Sequence, residues 1–167
     1  MGHPRLRDVI TRVREHAGAG DLPIVVFDLD STLFSTAERN LRILHEFAER
    51  HQADHPALGP AVEGLTEADM GWNVHESLAA RGIRDGALLG ALRSFWFERF
   101  FTDVPVPGAP EYVEACHQAG ALIYYLSGRH VGGMELGTVR SLREHGFPFW
   151  RGRCVVHLKP SFEMADK

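Results

Sequence analysis

The chain has few of the features that mark secreted, membrane-spanning or nucleic-acid-binding proteins. Its only cysteines, Cys116 and Cys154, are too few for a disulfide framework, and they form no CxxC pair that would indicate zinc or redox chemistry. No apolar run approaches the roughly 18 residues that span a bilayer, and the charged N-terminus lacks the apolar segment of a secretory signal. The net charge of -4 provides no basic surface for nucleic acid. We therefore expect a cytoplasmic protein without membrane or nucleic-acid partners.

The most informative segment is Asp28-Leu29-Asp30-Ser31-Thr32-Leu33, which follows the apolar run from Ile24 to Phe27. Its two aspartates lie at the C-terminal end of a predicted buried strand, where open α/β sheets bind their ligands. Burying carboxylates there costs free energy unless a cation or hydrogen bonds compensate, so the pair indicates a chemical role for these two residues. The alternative is an ordinary turn in which Asp and Ser cap backbone groups. This segment alone does not decide between the two interpretations.

The wider pattern predicts an α/β fold. The predicted strands cover about 23–27, 121–126 and 153–157. Strands that alternate with helices indicate a parallel sheet with right-handed crossovers. Residues 35–103 contain no convincing strand, so we expect a helical insertion there, with helix starts at Ser35 and Asp85. Within it, residues 54–64 are rich in Pro, Gly and Ala and predict a loop.

A second polar segment, Ser127-Gly128-Arg129, ends the second predicted strand as Asp28 ends the first. Because parallel neighbouring strands end at the same edge of a sheet, we expect both segments to lie close together. Two acids, a hydroxyl and a glycine amide suit the binding of a tetrahedral phosphoryl group, since glycine permits close backbone approach and amides at a helix start attract anions.

Taken together, these segments resemble the first two motifs of the haloacid dehalogenase-like hydrolase superfamily. The two stretches are Ile-Val-Val-Phe-Asp28-Leu-Asp30-Ser31-Thr32 and Ile-Tyr-Tyr-Leu-Ser127-Gly128-Arg129. The resemblance covers the chain from about residue 22 to its end and implies the phosphatase branch. It also implies a Rossmann-like, three-layer parallel sheet formed by residues 1–34 and 104–167, with a helical cap inserted at residues 35–103.

The resemblance implies a Mg²⁺-dependent phosphatase that hydrolyses a small phosphomonoester. Asp28 would attack phosphorus and form an aspartyl-phosphate, and Asp30 would act as general acid and then as general base. The Asp28 carboxylate and the Asp30 backbone carbonyl would bind Mg²⁺. Ser127, the Gly128 amide and Arg129 would bind the phosphorylated substrate. A phosphotransferase or mutase would use the same aspartates, and a binding module that has lost turnover is the alternative from another class.

The resemblance further implies a lysine that neutralises the aspartate and phosphoryl charges. Lys159, just after the third predicted strand, is our choice, and Lys167 is the competing candidate. Trp72, His75 and Arg129 are candidates for contacts to the leaving group, although a structural role is the stronger interpretation of each. The aromatic residues at helical spacing are predicted to form the cap's own core: Phe95, Trp96 and Phe100.

The family's fourth motif, an acidic pair or Asp-Asn after a further strand, has no counterpart here. Glu163 and Asp166 are weak replacements because no predicted strand presents them. In the family's sheet the further strand would lie beside the first, so without it Ile24–Phe27 would form an exposed apolar edge. We therefore expect that the C-terminal part of the core is missing and that the isolated chain is weakly active or inactive. An oligomeric partner or the N-terminal helix would be the other means of covering this edge.

Overall fold

The computed structural model describes residues 3–71, 73–149 and 152–161 and divides into two compact units. The core unit comprises Met1–Phe34 and Pro105–Lys167, and the helical unit comprises Ser35–Val104. The helices are α1 (Pro4–Gly18), α2 (Thr36–His51), α3 (Leu58–Val62), α4 (Val74–Ala80), α5 (Gly86–Arg99), α6 (Ala109–Gln118) and α7 (Val131–Glu144), and the strands are β1 (Ile24–Asp28), β2 (Leu122–His130) and β3 (Cys154–Lys159). None of the helices in these described ranges combines the length and apolar character of a membrane span.

Within the described residues, the core unit is built on a parallel three-stranded sheet in the order β1-β2-β3. Val26 of β1 lies opposite Tyr124 of β2, which in turn lies opposite Val155 of β3. Helices α6 and α7 connect successive strands, as parallel pairing requires. This architecture confirms the predicted α/β fold with a Rossmann-like parallel sheet.

Two strands extend further than the sequence predicts. Strand β2 continues past Leu126 to His130, with a shift in its pairing to β3 between those residues, and β3 continues to Lys159. The predicted strand ends at residues 126 and 157 were therefore too early. The Ser-Gly-Arg segment consequently belongs to an irregular extension of β2, and Lys159 is the last residue of β3.

One face of this sheet is packed by helices. Side chains that alternate along β1 and β2 point to it, including Phe27, Ile123 and Tyr125, and all three are buried. Helix α1 contributes Ile10 and Val13 to the same cluster, together with apolar residues of α6 and α7. The N-terminal helix is therefore part of the core on this face.

The opposite face of the sheet is exposed in the part of the chain that the structure describes. The exposed fractions are 60% for Ile24, 56% for Val26, 46% for Leu126 and 38% for Val155. Because α1 packs on the other face, it does not cover these side chains, although the sequence suggested it as one candidate cover. The predicted apolar edge strand thus has exposed side chains.

Gly120 lies where the chain turns from α6 into β2, with φ +111. A Cβ atom at this position would lie 2.7 Å from the Ala17 Cβ of α1. Both the backbone conformation and the close approach of α1 therefore require glycine.

We expect Gly120→Ala to lower the free energy of unfolding by about 1–3 kcal/mol, because it adds a clash to a strained backbone. Gly132→Ala is the matched control, since a Cβ in that helical position meets nothing within 4 Å. Urea unfolding followed by circular dichroism measures both. Equal stabilities for the two variants would contradict this interpretation of Gly120.

The helical unit has a core of its own. Ile43, Leu44 and Phe47 of α2 pack with Leu78 of α4 and with residues of α5. Ser35 caps α2 by accepting the Glu38 amide, and Asp85 caps α5 by accepting the Leu88 amide, as the sequence predicts. The predicted loop over 54–64 was wrong in part, because it contains the short helix α3.

A buried ion pair lies near the two ends of this unit. Arg39 Nη1 donates to Asp103 Oδ1 at 2.8 Å, and the two side chains are 4% and 0% exposed. The guanidinium also lies over the Trp96 ring, 5.3 Å from its centroid. Ser35 N, next to α2, donates to Val104 O at 2.7 Å. The segment that enters the unit is thus bonded to the one that leaves it.

We expect Arg39→Met to lower the free energy of unfolding by about 3–5 kcal/mol, because it leaves the buried Asp103 carboxylate without its guanidinium. Arg42→Met is the control: its exposed pair with Glu38, at 3.6 Å, contributes about 0.5 kcal/mol or less. Thermal unfolding of both variants provides the comparison. A loss no larger than that of the control would show that the pair has little effect on stability.

Candidate active site

The turn after β1 presents the two aspartates. Leu33 N and Phe34 N both donate to Leu29 O at 2.9 Å, and Ser31 N donates to Phe34 O at 2.9 Å. Ser31 has φ 60, which places a residue with a side chain in the left-handed region. Such conformations occur mainly where surrounding structure enforces them, often at functional sites.

Asp28 is the last residue of β1 and its side chain is exposed. Thr32 Oγ1, from the following turn, donates to Asp28 Oδ2 at 3.1 Å. The Thr32 hydroxyl thus contacts the Asp28 carboxylate directly. This bond fixes one oxygen of Asp28, and the other oxygen is the candidate nucleophile.

Ser127 lies on β2 one residue beyond Leu126, the register partner of Asp28. It is 5% exposed, and its hydroxyl oxygen accepts the Arg129 amide at 3.2 Å. A hydroxyl that accepts one hydrogen bond still has a hydrogen to donate, so Ser127 can donate to an anion at this edge of the sheet. The parallel register therefore places Ser127 one residue beyond the level at which β1 ends.

Asp30 is bound by Arg129 in a bidentate ion pair. Arg129 Nε donates to Asp30 Oδ2 and Nη2 donates to Oδ1, each at 2.9 Å. The Arg129 side chain is 1% exposed and that of Asp30 is 21% exposed. The sequence placed Arg129 at this edge of the sheet but gave no signal for this pairing, which joins residues 99 positions apart in the chain.

Lys159 lies on β3 next to the Ser-Gly-Arg segment. It pairs with His130 in the sheet, and its Cε lies 3.8 Å from the position of a Cβ built on Gly128. Its aliphatic stem thus passes Gly128 at ordinary contact distance. The competing Lys167 lies outside the described residues, and so do Glu163 and Asp166.

Of the cap residues predicted to contact a leaving group, Trp72 lies outside the described residues. His75 lies in α4 of the helical unit and is half-buried. Burial lowers its pKa, and the charge of Arg93 lowers it further, so the neutral imidazole is favoured. Phe95 and Phe100 are buried within the helical unit, and Trp96 packs against its core.

The described residues fit a magnesium ion only in part. They contain no group of three or more His, Cys, Asp or Glu side chains that could hold a metal. Both Asp30 carboxylate oxygens accept bonds from Arg129, so Asp28 is the carboxylate suited to a cation. Mg²⁺ keeps several waters and binds through one or two carboxylates, so this set fits its coordination chemistry in part.

Comparison with known proteins supports the fold. No protein-family model matches the chain, and no curated protein matches it in sequence. Among solved structures, it is similar to a Bacteroides fragilis protein described as a haloacid dehalogenase-like hydrolase, with a TM-score of 0.50 and 18% identity. The match covers 83% of this chain and 63% of the other, so the chain spans less than two thirds of that structure. The chain thus shares the haloacid dehalogenase-like fold.

We expect Ser31→Val to lower the free energy of unfolding by about 1–2 kcal/mol, because a β-branched residue is strained at positive φ. Ser31→Gly removes that strain and is expected to be more stable than Ser31→Val. Ser31→Ala is the control, since it keeps Cβ and removes only the hydroxyl. Chemical unfolding measures all three, and a glycine variant less stable than the valine variant would contradict the expectation.

Proposed function

We propose that the core unit is the catalytic part of a Mg²⁺-dependent phosphatase that hydrolyses a small phosphomonoester through an aspartyl-phosphate. The observation that carries the proposal is the arrangement at one edge of the sheet. Asp28 is exposed at the end of β1, Ser127 of β2 lies one residue beyond the register partner of Asp28, and Asp30 follows in the turn after β1. The similarity of fold to a protein described as a haloacid dehalogenase-like hydrolase supports this proposal.

In the first step, the free Asp28 oxygen forms a bond to phosphorus while the bond to the leaving oxygen breaks. Asp30 gives a proton to that oxygen, using a lone pair other than the two that accept from Arg129. In the second step, Asp30 takes a proton from water, whose oxygen bonds to phosphorus as the bond to Asp28 breaks. The products are inorganic phosphate and an alcohol, and both aspartates return to their starting states.

The remaining residues stabilise the negative charge that the phosphoryl group carries. Ser127 donates from its hydroxyl, Gly128 from its amide and Lys159 from its ammonium group. Thr32 holds the Asp28 carboxylate in its attacking orientation through the bond at 3.1 Å. Mg²⁺, held by Asp28 and the Asp30 carbonyl, would neutralise charge between the carboxylate and the phosphoryl oxygens.

Two other functions would use the same residues. In a phosphotransferase or mutase, an alcohol or a second phosphoryl acceptor takes the place of water in the second step. In a phosphoryl-binding module without turnover, the site binds its ligand but Asp28 forms no covalent intermediate. The incomplete set of carboxylates for a metal in the described part of the chain favours this last alternative, whereas the presence of both Asp28 and Asp30 favours catalysis.

We expect the chain to release p-nitrophenol from p-nitrophenyl phosphate slowly in the presence of Mg²⁺, because the described residues supply an incomplete metal site, and with little release after chelation. Asp28→Asn should reduce the rate at least about a hundredfold, because an amide cannot replace the nucleophilic carboxylate. Asp8→Asn, on the exposed surface of α1, is the matched control and should retain the wild-type rate.

Activity that survives Asp28→Asn, or release that is independent of the metal, would overturn the proposed mechanism. Adding an alcohol acceptor separates the enzymatic alternatives, because a phosphotransferase forms a new phosphate ester where a phosphatase forms inorganic phosphate. Binding of inorganic phosphate by a chain without turnover would instead support the binding module.

A further inference from the structure

We propose that Arg129 is a positioning residue that holds Asp30 in the geometry needed for proton transfer, and that it does not bind the substrate. The proposal rests on the proposed function, because it assigns a role in the same reaction. It differs from the phosphate contact that the sequence predicts for Arg129. Three observations support the proposal: the geometry of the bonds between Arg129 and Asp30, the burial of the guanidinium, and the residues that surround it.

Arg129 and Asp30 form two parallel hydrogen bonds. Two nitrogens on one edge of the guanidinium, Nε and Nη2, reach the two oxygens of one carboxylate, each at 2.9 Å. Parallel hydrogen bonds of this kind fix the plane of the carboxylate as well as its distance. A general acid needs this control, because its proton must point at the leaving oxygen within a narrow range of directions.

Burial places the guanidinium behind the carboxylate. The Arg129 side chain is 1% exposed, whereas the Asp30 side chain is 21% exposed. The aspartate is therefore the member of the pair that solvent, and hence a substrate, can reach. A residue that bound phosphoryl oxygens directly would need an accessible guanidinium.

Other parts of the core unit hold Arg129 in place. Its Nη1 lies 3.4 Å from Thr138 Oγ1 of α7, and its Cζ lies 5.6 Å from the centroid of the Phe34 ring. Thr138 is itself fully buried and donates to Met134 O at 2.7 Å. The guanidinium is thus held by contacts with helix α7 and with the turn after β1, in addition to its attachment to β2. Because it is fixed in place, its two hydrogen bonds also fix the Asp30 carboxylate.

The decisive experiment is a double-mutant cycle on Mg²⁺-dependent hydrolysis of p-nitrophenyl phosphate. Arg129→Lys keeps the charge but cannot form two parallel bonds, so we expect kcat to fall about ten- to a hundredfold while KM changes less than about threefold. In an Asp30→Asn background, the same change should lower kcat less than about threefold further, because Arg129 acts through Asp30. Arg140→Lys, on the exposed side of α7, is the matched control and should keep the wild-type values.

A second pair of variants tests the support of the guanidinium without altering either charged residue. Thr138→Val removes the hydroxyl at nearly constant volume, whereas Thr138→Ser keeps it. We expect the valine variant to have the lower kcat of the two, with similar KM for both. This pair keeps the proposal falsifiable if Arg129→Lys does not fold, which circular dichroism reveals.

The outcomes separate the two proposals. If the wild type is active, two results would overturn the positioning role of Arg129 and support the phosphate contact instead. One is a rise in KM of tenfold or more on Arg129→Lys. The other is that the losses of kcat from Arg129→Lys and Asp30→Asn multiply. A wild-type chain without Mg²⁺-dependent hydrolysis overturns the proposed function and the catalytic role of Arg129 with it. In that case, an NMR shift of the Arg129 Nε–H signal on Asp30→Asn substitution would still confirm the ion pair itself.

Discussion

The parallel pairing of β1 with β2 is the constraint on which the candidate site depends. Because Asp28, the last residue of β1, pairs with Leu126, the turn after β1 and the extension of β2 from Ser127 to His130 lie at one edge of the sheet, although about a hundred positions separate them in the chain. The turn after β1 and the irregular extension of β2 then project polar groups from a rigid base. Helices α1, α6 and α7 pack one face of the sheet and keep this register fixed, since a slip by one residue would expose Phe27 and Tyr125.

The sequence predicted the parts of this arrangement that follow from local pattern. Buried strands are apolar and β-branched, so the three strands could be predicted. Helix starts carry Ser or Asp, which predicted the caps at Ser35 and Asp85. Because parallel strands run side by side, the placement of Asp28 and Ser127 at one edge of the sheet could be predicted too. The roles of the site residues remain predictions. Local pattern could not give the continuation of β2 to His130, because a shift in pairing depends on β3. Helix α3 was missed because its Gly-Pro-Ala composition is that of a loop.

Each unit buries an arginine against an aspartate, and the two pairs differ in accessibility. In Arg39–Asp103 both partners are shielded from solvent, whereas in Arg129–Asp30 the carboxylate keeps partial exposure. Burying two charges gains little net stability even with good geometry, so such a pair is best explained by the arrangement that it specifies. The first pair specifies how α2 meets the segment that ends the helical unit. The second specifies the direction of a carboxylate that remains open to solvent on one side.

The hydrogen bond between Ser35 N and Val104 O means that the helical unit begins and ends at nearly the same point. For a segment whose ends adjoin, the entropic cost of closing the loop grows only slowly with the number of residues in the segment. The sheet therefore imposes almost no length requirement on what is inserted between Phe34 and Pro105. Evolution can exchange, enlarge or shorten this unit while the strand register, and the chemistry arranged along it, stay unchanged.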